Sequence, residues 1–252
     1  MAPSTEPTAI LSHLHRTDGS ATFSQNGYTV IGAVNGPLEI QRRDELPEEA
    51  AIDVIVRPAA GVGGTRERHL ESILQSTLRQ IILIQNFPRT LIQITLQITS
   101  TPENDTAGSK LIQASSNLSI LPTLLQTAIL ALLSASIPLS MTLTSTFLAL
   151  ASDGSSRSVI VNPTLSESQA ASSVHVMAFT SHGELLVAES EGDFTLKDWE
   201  AAHDAAKAIC CDDSNTSGDM GDEGMGEKNE SLMMFVKSTL EDKIESDLHW
   251  KD

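Results

Sequence analysis

A chain of 252 residues with 40% apolar content can bury one large core or two small ones. Its net charge of -17 speaks against a nucleic-acid binder until it is divided along the chain, because residues 189–252 hold 18 acids against 6 bases and leave 15 against 10 in the first 188. The excess belongs to an acidic tail of a composition expected to stay solvated, and the rest is only mildly acidic.

In chain order, residues 1–13 are expected to be a flexible start. Ser20–Gln25 and Tyr28–Asn35 read as a hairpin turned at Asn26-Gly27, a dipeptide that tolerates the positive φ of a tight turn. Gly36-Pro37 closes the second strand, and Ile52–Arg57 forms a third that ends at Pro58, followed by a glycine-rich joint, Gly61–Gly64. From Arg66 to Ile84, Leu70, Ile73, Leu74, Leu78 and Ile81 recur at helical spacing. Leu91–Ile98 then alternates with period two, as a half-buried strand does.

Residues 101–117 read as an exposed loop insertion, and Leu121–Ser134 as a deeply buried helix. The apolar run there is broken by Pro122 and Gln126, which makes a core helix the better reading than a membrane span. A second series of strands follows at Thr142–Ala151, Arg157–Val161, Val174–Thr180 and Glu184–Glu189. Thr195, with Asp198 three residues on, opens a helix to about Cys211. Residues 14–211 therefore make up the folded domain, 212–230 an acidic insertion expected to be disordered, and 231–252 a C-terminal helix with Leu232, Phe235, Val236, Leu240 and Ile244 on its packed face. The fold class is α/β or α+β.

Cys210 and Cys211 are adjacent, a geometry poor for a disulfide and suited to a reducing compartment. No basic region followed by an apolar one opens the sequence, so no secretory signal is expected. The seven histidines show no metal-ligand spacing, and neither a Gly-x-Ser-x-Gly elbow nor a Walker ending is present. No cofactor is expected.

The opening hairpin through Val34-Asn35-Gly36-Pro37-Leu38-Glu39, Val56-Arg57-Pro58, Arg66-Glu67-Arg68, Phe87-Pro88-Arg89-Thr90 and Ala135-Ser136-Ile137-Pro138-Leu139 come in the order found in RNase PH-like proteins. Together they resemble the RNase PH-like ring subunits of the eukaryotic RNA exosome. The resemblance implies an RNase PH-like fold, with two β-sheet/helix halves of the ribosomal protein S5 domain 2-like type. It also implies partners: other RNase PH-like exosome ring subunits, S1/KH-type cap subunits, an exosome-associated nuclease and RNA passing through the channel, in the nucleus and nucleolus and also the cytoplasm, with no membrane.

Active relatives break RNA with inorganic phosphate, which needs cations and backbone donors for the anion and carboxylates at the leaving oxygen. By the resemblance, the family's phosphate-binding Gly-Thr-Arg falls on or near Ser119-Ile120-Leu121, and its catalytic aspartates on Asn162 and Ser168. A further arginine falls near Gln75. Leucine has no donor for phosphate, and asparagine can neither take a proton nor supply a full charge. Glu167 could partly replace one carboxylate. All four positions are degenerate, so the expectation is a non-catalytic subunit that helps build the RNA-threading channel, supporting 3′-to-5′ RNA processing and degradation. The alternative is an active phosphate-dependent 3′-to-5′ exoribonuclease. Arg66, Arg68, Arg79 and Arg89 are candidates for RNA phosphates, weighed against pairing with acids or solvation.

Overall fold

The computed structural model describes residues 6–102, 118–153, 156–211 and 231–249. Two sheets sandwich a central helix. The first half contains β1 (Thr8–Leu11), β2 (Gly19–Gln25), β3 (Tyr28–Glu39), β4 (Ala51–Arg57), α1 (Thr65–Ile81) and β5 (Thr90–Ser100). Its sheet runs β1-β2-β3-β5-β4, antiparallel except for the β4–β5 pair, whose crossover is α1. The second half begins with α2 (Leu121–Ser134) and continues through β6 (Leu143–Asp153), β7 (Ser156–Val161), α3 (Leu165–Ala170), β8 (Ser173–Thr180), β9 (Leu185–Gly192) and α4 (Leu196–Cys210) to α5 (Leu232–Leu248). Its sheet is antiparallel, in the order β7-β6-β8-β9.

A helix that is apolar all round has to be buried all round. That explains the position of α2, which packs on β2 and β3 on one side and β6 on the other, every residue from Leu121 to Leu132 being buried. The approach to the first sheet is close: a Cβ added at Gly19 would lie 2.3 Å from the Ala135 nitrogen. The inner face of the first sheet and α1 join the same core through Val54, Leu74 and Ile94. On the far side of the second sheet, Leu148, Met177 and Phe179 meet Ala202, Ala206 and Cys210 of α4 in a separate cluster.

Four local expectations need correction. Residues 8–11, read as part of a flexible start, form β1: Ala9 and Leu11 pack on the core, and the strand pairs along β2 from Thr8↔Ser24 to Leu11↔Ala21. β3 does not stop at Gly36-Pro37 but resumes after an irregularity between Asn35 and Leu38 and continues to Glu39. α3 was not foreseen, although Thr164 and Glu167 form the same capping box as Thr195 and Asp198. Ile244 is 56% exposed, because α5 buries only Leu232, Met233 and Val236 of its first turns and its last turns project from the body. Most of the loop insertion, residues 103–117, and the acidic insertion, 212–230, lie outside the described residues.

Candidate functional site

The start of α2 and the residue after β7 converge on one end of β6. Ser145 of β6 donates its hydroxyl to the Pro122 carbonyl at 3.1 Å, and the Asn162 N–H donates to the Phe147 carbonyl at 2.9 Å. Ser145 and Phe147 are two residues apart on one strand, about 7 Å. Asn162 holds φ at 48°, in the left-handed region that asparagine tolerates better than most residues. The start of α2 and the residue after β7 are thus both hydrogen-bonded to the first part of β6.

The chemistry carried there is sparse. Leu121 is fully buried and offers only carbon, and Ile120 gives the helix no side-chain cap. Glu167 is committed locally: one of its carboxylate oxygens accepts the Thr164 N–H at 2.7 Å and the Thr164 hydroxyl at 2.9 Å. These bonds, the backbone one foremost, hold its carboxyl below the usual carboxylate range. It is a helix-capping anion and not a proton donor near neutral pH. Ser168 sits on α3 with its N–H bonded to the Thr164 carbonyl at 2.9 Å.

Gln75 belongs elsewhere. Its amide donates to the Ile52 carbonyl at 2.8 Å, on the free edge of β4, while Glu71 one turn earlier accepts the Val56 N–H at 2.9 Å. Two polar side chains at i and i+4 thereby close the edge strand, a role that sequence reasoning missed and that the Glu71/Gln75 spacing on the flank of α1 could have signalled.

Three of the four candidate arginines are engaged within the chain. Arg68 pairs with Glu71 at 3.1 Å, Arg89 with Glu45 at 3.2 Å, and Arg79 with Glu49. Arg66 has no ion pair among the described residues, and neither has Arg57, overlooked in the sequence, at the end of β4. The two flank the glycine-rich joint. Glu67 occupies the start of α1 by accepting the Gly64 N–H at 2.6 Å.

Elsewhere, His175 is fully buried, with its ring nitrogens on the hydroxyls of Ser173 and Ser190 at 3.0 and 2.8 Å and the Phe194 ring in a T-shaped contact with it. Burial pushes its pKa down, and the charge of Asp198 offsets this only in part. Burial likewise pushes the Cys210 thiol up to about 12, so it is an inert core residue. Among the described residues no three His, Cys, Asp or Glu gather as a metal site would, and no helix is long and apolar enough to cross a membrane.

Residues 7–138 match the model of the 3′ exoribonuclease family, domain 1, also called RNase PH. The chain therefore belongs to the RNase PH family. Within it, the chain is similar to exosome complex component RRP46 of Saccharomyces cerevisiae, at 37% identity over 191 residues that cover 73% of this chain and 80% of the relative. It is 38% identical to exosome complex component rrp46 of Schizosaccharomyces pombe over 96 residues, 38% of this chain and 42% of that one. The crystal structure of rice (Oryza sativa) Rrp46 superposes with a TM-score of 0.69 at 26% identity, covering 82% of this chain and 91% of the rice chain. The fold expected from the sequence is the fold observed.

Proposed function

We propose that this chain is a non-catalytic core subunit of an RNA exosome ring, which supports 3′-to-5′ RNA processing and degradation by forming part of the channel wall. Membership of the complex rests on the likeness to exosome components over most of the chain. The absence of activity rests on one observation above the others: the helix start where active relatives cradle phosphate presents the fully buried, donor-free Leu121. Asn162 in place of a carboxylate, and Glu167 spent on a cap, point the same way.

Partners of this reading are other RNase PH-like subunits, RNA-binding caps and an associated nuclease, in the nucleus, nucleolus and cytoplasm. Among the four candidate arginines, Arg66 is the one left for RNA phosphates, whereas Arg68, Arg79 and Arg89 are first of all partners of glutamates. The test is reconstitution of the ring with and without this chain, followed by nuclease protection of threaded single-stranded RNA. A protected length that requires this chain supports the channel role. Full protection without it contradicts that role.

A further inference from the structure

We propose that the open edge of β9 receives an extended, basic segment of a partner protein as a further strand of the second sheet, an inference that does not depend on the ring reading. β9 pairs with β8, and no described strand lies on its other side. After Leu186, which the register skips as a bulge, the pairing is unbroken over six residues, from Val187↔Ala178 to Gly192↔Ser173. An edge of that kind presents a row of backbone N–H and C=O groups to any strand that can approach it. The edge of β4 is closed by Glu71 and Gln75, and β1 has only four residues. Among the described residues no side chain closes β9 in the same way.

Charge selects what can approach. From Glu184 to Asp193 the chain carries four acids and no lysine or arginine. Glu189 and Glu191 lie opposite Val176 and Val174, whose side chains are in the core, so both carboxylates stand on that face of the strand, about 7 Å apart. Glu189 is half-buried and Glu191 exposed, and neither has a hydrogen bond or ion pair among the described residues. A strand added at this edge brings its own side chains to about 5 Å from them, where opposite charges stabilise the pair and like charges destabilise it. β7, the opposite edge of the same sheet, carries Arg157 and no acid, so charge distinguishes the two edges.

The other face of β9 carries Ala188 and Ser190, the serine hydroxyl already bonded to His175 at 2.8 Å. These small side chains leave room for β-branched residues beside them. The occupant that fits is therefore an extended segment with Lys or Arg at every second position and Val, Thr or Ile between, held by main-chain hydrogen bonds and selected by its charges. A second copy of this chain does not fit, because pairing β9 with β9 sets acid against acid. RNA does not fit either, because its phosphates meet the same carboxylates.

The experiment titrates the full chain into a fluorescein-labelled peptide of alternating lysine and valine, about eight residues long, and reads anisotropy at physiological ionic strength. Two further peptides are N-methylated at the odd or at the even positions, each lacking the backbone donors of one of its edges. The parent should bind the unmodified peptide and one methylated peptide, and lose the other. Glu189→Lys with Glu191→Lys should weaken binding by about tenfold. Glu241→Lys with Asp242→Lys, the same change of net charge on α5, should leave it within about twofold. Circular dichroism checks that both variants fold, and the methylated peptides, tested on the parent, decide alone if the β9 variant does not. No binding by the parent, equal binding of both methylated peptides, or equal loss in the two folded variants overturns the proposal. So does a dimer of the parent that the β9 variant abolishes, which would make a second copy the occupant.

Discussion

Replacing Leu121 by arginine should destabilise the protein and still not yield a phosphate site. The leucine is fully buried at the start of α2, wedged between the two sheets. Its burial is worth roughly 2–3 kcal/mol, and an arginine there must either carry an unpaired guanidinium into the core or push the helix start away from β6. The combined loss is roughly 3–5 kcal/mol. At about 2–4 °C per kcal/mol for a domain of this size, the melting temperature should fall by about 10 °C. Thermal unfolding with and without inorganic phosphate is the assay, because a ligand that binds the folded state raises the melting temperature with its concentration. A variant as stable as the parent, and further stabilised by phosphate, would refute the view that the cradle has been absorbed into the core.

Gln126 buries both amide atoms in α2 without a hydrogen-bond partner among the described residues, so Gln126→Met should raise the unfolding free energy by about 1 kcal/mol in denaturant titration. The buried His175 has a pKa below its ordinary 6.5. The unfolded chain therefore binds the extra proton first, and stability present above pH 6.5 should decline as pH falls through that value. His175→Gln should flatten this dependence. Glu71→Ala frees the Val56 N–H on the edge of β4 and should increase self-association in light scattering, whereas Glu71→Gln, which keeps an acceptor, should not.

The sequence exposed the elements whose patterns are self-contained. The heptad-like recurrence of Leu70, Leu74, Leu78 and Ile81, the alternation of Ile92, Ile94, Leu96 and Ile98, and the predominance of apolar residues on every side of α2 each follow from burial on one face, one side or all round. β1 escaped because four residues with exposed Ile10 and Thr8 look like tail until their pairing with β2 is known. α3 escaped because six residues give too short a periodicity, although the Thr164–Glu167 cap was readable.

The residue types at the candidate positions could be read from the sequence, but their arrangement could not: only the fold shows that the start of α2 and Asn162 both hydrogen-bond to β6 while Gln75 serves the edge of β4. The engagement of Arg79 and Arg89 depends on where the 39–49 connection runs, which no local pattern encodes.

The most direct measurement is phosphate-dependent release of nucleoside diphosphates from single-stranded RNA by the purified chain, alone and with its ring partners, beside an active RNase PH. The account predicts no release attributable to this chain in either setting. Release that requires phosphate and disappears in an Asn162→Ala variant would contradict it, because the degenerate positions around Leu121 and Asn162 would then be working ones.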